Sequence, residues 1–162
     1  MKAFGSALSI ALGLGVVLLA GEALAPAKAA LGDTAASVQT DRVSMKGQLR
    51  ATTPEPGYSV QEITAATGTV IREFVSPGGV VFAVSWSGPA VPNLQQVLGT
   101  YFTQYQSAVA TQRATARRSG HNHLEIRGPS LVVHAGGHMR QYVGLAYVPS
   151  LVPQNLSISD LR

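Results

Sequence analysis

One apolar stripe does most to limit how this chain can fold. Between residues 94 and 109, apolar side chains recur at intervals of three and four, at Leu94, Val97, Leu98, Tyr101, Phe102, Tyr105, Ala108 and Val109. That spacing is typical of an amphipathic helix, one side of which must be buried. Asn93 and Gln96 have the spacing of a mutual helix cap, so the helix is predicted to begin at Leu94. Gly120 is predicted to follow its end, near Ser119.

Strand-like segments lie on both sides of this helix. Three precede it, at Tyr58–Ala66, Thr69–Val75 and Gly79–Trp86, and turn residues separate them. Three more follow within "HNHLEIRG", "SLVVHA" and "GHMRQYVGLAYVP". Blocks of strands around one helix favour an α+β fold over a parallel α/β fold. We therefore predict one antiparallel sheet built from two three-strand blocks, with one long amphipathic helix packed on it. Along the chain the order is three strands, one helix, three strands (β3-α-β3).

Two details complete the predicted fold. In the third strand, alternation places Phe82, Val84 and Trp86 on one side, which we expect to be the core side. The segment "TTPEPG", residues 52–57, is predicted to be a turn, and a loose apolar pattern over Ser37–Leu49 suggests a short N-terminal helix.

The first thirty residues resemble a signal peptide. Lys2 is followed by an apolar run from Ala7 to Ala20, and "AKA" at 27–29 is a small-residue cleavage pattern. The run is shorter than the ~20 residues of a membrane-spanning helix. We expect residues 1–30 to be removed and residues 31–162 to form a single domain that is exported, periplasmic or secreted, with no stable membrane insertion after processing. The chain has no cysteine, which excludes disulfides and a lipid-attachment cysteine.

A cluster of arginines is the candidate anion-binding site. The chain carries a formal net charge of +4. For an exported protein, a positive balance favours anionic lipid, polysaccharide or cell-wall material over nucleic acid as a partner. Arg113, Arg117 and Arg118 form the densest positive run of the predicted domain, and their guanidinium groups suit phosphate or carboxylate. The alternative is that they only compensate the dipole at a helix C-terminus.

The four histidines are candidate metal ligands, and they occur as two close pairs. His121 and His123 would project from the same side of a strand. His134 would lie opposite His138 if "AGG" were a three-residue loop, whereas a two-residue Gly-Gly turn would separate the two rings. A selective metal site usually needs three or four ligands, so no cofactor is predicted. The chain also has no G-x-S-x-G motif and no cysteine nucleophile.

Three segments carry a resemblance to a known family. They are "REFVSPGGVVFAVSWSGPAVPNLQQVLGTYF", "GHMRQYVGLAYVP" and "LGDTAASV". Through them the chain resembles a family of small exported proteobacterial proteins catalogued as a domain of unknown function. The resemblance implies export and a single domain, and it implies no activity, cofactor or catalytic residue.

These observations predict an accessory protein of unknown activity rather than an enzyme. We expect it to bind a partner protein or an anionic cell-envelope component, and not nucleic acid. The alternative is a small metal-dependent or histidine-based hydrolase. The sequence leaves the ligand and the oligomeric state open.

Overall fold

A computed structural model describes residues 31–34, 48–115 and 123–161. The predicted signal peptide, Arg117, Arg118 and His121 lie outside the described residues. So do most of the predicted N-terminal helix and the predicted helix end near Ser119.

The described chain is built on one antiparallel sheet of seven strands, with neighbours in the order β1-β2-β3-β4-β7-β6-β5. The strands are β1 (Gln48–Glu55), β2 (Tyr58–Thr64), β3 (Val70–Val75), β4 (Val81–Gly88), β5 (His123–Arg127), β6 (Val132–His138) and β7 (Gln141–Tyr147). Each of the six sequence segments predicted as strands overlaps one of β2 to β7, although β4 and β6 extend beyond the predicted ends, to Gly88 and His138. The direct pairing of β4 with β7 joins the N-terminal and C-terminal halves of the sheet.

The predicted fold class is wrong. The sheet is one continuous layer of seven strands rather than two blocks of three, and four of its strands precede the helical segment. The extra strand, β1, contains residues 52–55 of the predicted turn, and only Pro56 and Gly57 form the turn itself. Because β1 is an edge strand, Pro54 is tolerated there although it lacks a backbone N–H. Gln48 and Leu49 also belong to β1, not to a helix.

The predicted single long helix is interrupted. It consists of α1 (Leu94–Leu98), a 3-10 turn (Gly99–Tyr101) and α2 (Phe102–Thr115). The break coincides with Gly99, whose φ of 51° is in the left-handed region that favours glycine. The predicted start is confirmed, because the side-chain oxygen of Asn93 accepts hydrogen bonds from the backbone N–H groups of Gln95 at 3.1 Å and Gln96 at 3.3 Å.

Each side of the sheet has its own hydrophobic cluster. The helix side buries Ile71, Val84 and Trp86 together with Val97 and Leu98, and most of the predicted apolar stripe packs against this cluster. The other side is covered by the C-terminal segment 149–161, and we call it the tail side. Its buried residues are Phe74, Phe82, Ala83 and Leu161.

The two clusters correct the predicted orientation of Phe82. We expected Phe82 to share a side with Val84 and Trp86, but Phe82 belongs to the tail-side cluster. The pairing of β3 with β4 shifts register between Phe74 and Val75, which interrupts the alternation of side chains along β4.

No helix within residues 31–34, 48–115 and 123–161 is long and apolar enough to cross a membrane.

Candidate functional site

The helix side of the sheet carries a cleft of about 690 Å³, which we call the helix-side cleft. Residues of α2 and of the β6–β7 hairpin line it, together with residues from the segment before α1. Most of its lining is apolar or aromatic: Trp86, Val91, Leu94, Tyr105, Val109, Leu124, Ala135, Met139, Tyr142 and Val143. Its volume lies within the range of ordinary ligand sites, which combine an apolar lining with a few polar groups.

Apart from its tyrosines, the ionisable side chains of this cleft are basic. Arg113, His123 and His138 line it, all three are exposed, and none of the lining residues that the structure describes is acidic. Arg113 lies in the last turn of α2. Its guanidinium acts on Tyr105 in the same cleft: burial raises the pKa of the Tyr105 hydroxyl above its usual value, and the positive charge of Arg113 lowers that pKa in part. The electrostatic character of the cleft therefore favours an anionic ligand.

The same cleft collects exposed apolar side chains. Across the described ranges, the large hydrophobic residues that are exposed are Val91 at 49%, Met139 at 80% and Val143 at 53%, and all three line the helix-side cleft. Single exposed hydrophobic residues are common on protein surfaces, whereas a local group of them is typical of an interaction site.

Met139 stands at the tip of a strained hairpin. His138 pairs with Gln141, so the β6–β7 connection has two central residues, Met139 and Arg140. Their φ angles are 49° and 68°, the sign that a type I′ turn requires at both positions. That turn normally uses Asn-Gly, because a side chain in the left-handed region costs about 1–2 kcal/mol per residue. The chain therefore keeps an apolar and a basic side chain at a position where both are unfavourable for the turn.

A buried threonine fixes the segment that carries Val91. Thr69 is fully buried, and its hydroxyl donates to the carbonyl oxygen of Ala90 at 2.7 Å and accepts from the Ala90 N–H at 3.3 Å. These bonds hold the connection between β4 and α1 against the start of β3. Val91 follows Ala90 directly, so its position in the cleft depends on Thr69, a residue that is distant in sequence.

The structure brings together three of the predicted site residues. Arg113, His123 and His138 line the helix-side cleft, whereas Arg117, Arg118 and His121 lie outside the described residues. His134 and His138 both belong to β6, four residues apart, which separates their Cα atoms by about 13 Å. Both predicted versions of the "AGG" loop are therefore wrong, because the turn is formed by Met139 and Arg140.

The described histidines are not part of a group of three or more potential metal ligands within the described residues. His134 pairs across strands with Glu125, and its Nδ1 lies 3.8 Å from Oε1 of that carboxylate. Glu125 also accepts a hydrogen bond from Arg127, and this bond is the main reason why the pKa of Glu125 is lowered. No group of three or more His, Asp or Glu residues within the described part of the chain is placed to hold a metal ion.

Comparison with protein families identifies the chain. Residues 27–161 match the family described as "Protein of unknown function (DUF2844)". The chain belongs to that family. Membership in DUF2844 confirms the predicted resemblance to a domain of unknown function, whereas proteobacterial origin and export stay predictions. The description of DUF2844 assigns no activity and no residue. No curated protein and no solved structure matches the chain.

Sequence reasoning missed the hairpin tip and Val91. Met139 and Arg140 separate β6 from β7, and a two-residue connection of this kind is itself a turn signal. The glycines of "AGG" in the same segment were the stronger turn signal. Nothing local indicates Val91, since the Thr69 contacts that position it come from a distant strand.

Proposed function

We propose that the protein is an exported binding protein whose helix-side cleft and β6–β7 hairpin dock on anionic phospholipid of the cell envelope. The observation that carries this proposal is the joint occurrence, at one cleft, of the exposed apolar residues Val91, Met139 and Val143 with basic residues. A surface of this composition matches both parts of an anionic lipid, the negatively charged headgroup and the acyl chain.

The backbone strain of the β6–β7 hairpin supports the proposal. Met139 and Arg140 are retained at left-handed positions, and strained backbone of this kind is concentrated at functional sites. An exposed Met side chain can enter the boundary between headgroups and acyl chains, while Arg140 and Arg113 remain at the level of the phosphates. Each arginine near an anionic surface contributes on the order of 1 kcal/mol to binding.

The alternative of a metal-dependent or histidine-based hydrolase stays a prediction. The geometry of the described histidines gives it no added support, because His123 and His138 share the helix-side cleft with no carboxylate among its described lining residues. Lipid docking requires only the charges and apolar surface that this cleft contains.

Vesicle co-sedimentation tests the proposal. The processed protein is mixed with vesicles of phosphatidylglycerol and phosphatidylcholine in equal parts, and separately with vesicles of phosphatidylcholine alone. We expect binding to the anionic vesicles that weakens as salt rises from about 0.1 M to about 1 M, because the screening length falls from about 10 Å to about 3 Å.

Two arginine variants provide a matched pair. Arg113→Gln removes a charge from the cleft and is expected to weaken vesicle binding about fivefold, the equivalent of ~1 kcal/mol. Arg127→Gln removes the same charge from an exposed residue that does not line the helix-side cleft, and it should bind as the wild type does. Equal binding to both kinds of vesicle, or equal losses in the two variants, would show that this cleft is not a lipid-docking surface.

A further inference from the structure

The tail side of the sheet carries a second cleft, of about 670 Å³, which we call the tail-side cleft. Strands β3, β4, β5, β6 and β7 contribute to it, and Ile158, Ser159 and Leu161 of the C-terminal segment form one wall. Leu161 is almost fully buried in the tail-side cluster, so this wall is anchored to the core of the protein.

The strand register shows how the floor of this cleft is built. One row of cross-strand partners runs Arg72, Ser85, Leu145, His134 across four adjacent strands. Strands are spaced about 4.8 Å apart, so the Cα atoms at the two ends of this row are separated by about 14 Å. A cation and an imidazole therefore lie at opposite ends, with a hydroxyl group and an apolar side chain between them.

The next row makes the floor hollow. Its members are Ser87, Val143, Gly136 and His123, again as direct cross-strand partners. Gly136 contributes no side chain between Val143 and His123, which leaves open space beside the apolar surface of Leu145 and Val143. All of these residues line the cleft.

Arg72 is held in place for recognition of an oxyanion. Its Nε donates to Oε2 of Glu62 on the neighbouring strand at 3.0 Å. Among the described residues, the guanidinium makes no other hydrogen bond. Its two terminal nitrogens therefore remain available to a ligand. A guanidinium whose orientation is fixed suits carboxylate or phosphate because its planar donors match two oxygens at once.

We infer that the tail-side cleft is a second binding site, for an organic oxyanion with a short apolar body. The oxyanion, a carboxylate or a phosphate monoester, binds the terminal nitrogens of Arg72, and Ser85 donates a further hydrogen bond. The apolar body lies on Leu145 and Val143, and His134 bounds the far end. This inference does not depend on lipid docking at the helix-side cleft, since Arg72 and Ser85, which recognise the oxyanion, do not line that cleft, although Val143 and His123 line both clefts.

Calorimetric titration with three small probes of equal chain length tests the inference. Hexanoate and hexyl phosphate carry the two kinds of oxyanion, and hexanamide is a neutral analogue of hexanoate. We expect the wild type to bind at least one of the two anions, about tenfold or more tightly than hexanamide, because hydrogen bonds to charged groups are the stronger ones. Comparison of the two anions distinguishes carboxylate from phosphate as the natural headgroup.

A charge-balanced variant identifies the site. Arg72→Gln combined with Glu62→Gln removes both partners of the pair and keeps the net charge, which avoids leaving an unpaired carboxylate. Binding of the preferred anion should fall about tenfold or more in this variant, with a circular dichroism spectrum like that of the wild type. Arg127→Gln is the control, because Arg127 lines neither cleft, and it should leave anion binding unchanged; Arg113→Gln reports on the helix-side cleft.

The outcomes separate the two clefts. Absence of anion binding in the wild type, equal binding of hexanamide, or full binding by the Arg72 and Glu62 double variant would overturn the inference. Loss of anion binding in Arg113→Gln would also overturn it, because that residue lines only the helix-side cleft. Vesicle binding that survives in the double variant while anion binding is lost would support both sites independently.

Discussion

The hairpin tip offers a test in which stability and binding should change in opposite directions. The perturbation is Met139→Asn together with Arg140→Gly, which installs the Asn-Gly dipeptide that two-residue type I′ turns prefer. Both native residues have positive φ angles, 49° and 68°. If the turn has been kept for docking rather than for stability, the variant should fold better and bind lipid less.

The gain in stability can be worked from the backbone. Each native residue costs about 1–2 kcal/mol in the left-handed region. Asn tolerates that region more readily, and Gly does so without strain but loses about 0.5–1 kcal/mol of chain entropy on folding. The net expectation is about 1 kcal/mol of added stability, or a rise in Tm of roughly 3–5 °C for a domain of this size.

Two assays read the two effects. Urea denaturation followed by circular dichroism gives the free energy of unfolding, and co-sedimentation with phosphatidylglycerol vesicles gives binding. The single variants separate the contributions, because Met139→Asn removes apolar surface that is 80% exposed in the native protein, whereas Arg140→Gly removes a charge. A double variant that is less stable than the wild type would refute the strain argument, and one that binds vesicles as tightly would refute the role of the tip.

Two further predictions concern the interior and its titration. A Cβ atom at Gly144 would lie 2.1 Å from Cζ2 of Trp86, so Gly144→Ala must displace the indole and should cost about 1–3 kcal/mol in urea denaturation. Gly78→Ala is the control, because its Cβ would be 3.8 Å from the nearest atom, and a loss as large as that of Gly144→Ala would contradict the packing argument. For Tyr105, burial raises the folded-state pKa, so its contribution to stability is complete below about pH 10 and is lost as the pH rises through the folded pKa. Tyr105→Phe should therefore lose less stability than the wild type between about pH 9 and about pH 11, and equal losses would show that this hydroxyl does not titrate with unfolding.

The positions of six strands were predictable because each has a local signature. Alternating apolar residues and the turn residues between them place β2 to β7 without knowledge of the whole fold. Strand β1 was missed because Pro54, followed closely by Pro56 and Gly57, resembles a turn. The feature that makes Pro54 acceptable, a place at the sheet edge, is a property of the assembled sheet. The side on which Phe82 lies was missed for a similar reason, since one shift in register between neighbouring strands reverses it.

The basic character of the site was predictable, and its shape was not. Arg113 was recognised from its place at the end of an amphipathic helix, and His123 and His138 from their closeness to other histidines. Their arrangement around one cleft depends on how α2 lies over the β6–β7 hairpin, which no local pattern encodes. The row from Arg72 to His134 depends likewise on the register of four strands. Two of them, β3 and β4, precede the helical segment, and the other two, β6 and β7, follow it.

Trp86 can serve as an intrinsic probe of binding at both clefts. It is the only tryptophan of the chain, it is 3% exposed, and it lines both clefts because Gly144 leaves the sheet without a side chain beneath its ring. The protein thus contains a native fluorophore that is screened from water, and it belongs to the helix-side cluster. Because Trp86 lines both clefts, we expect the binding of a lipid and the binding of a soluble anion each to change its emission spectrum, which needs no label.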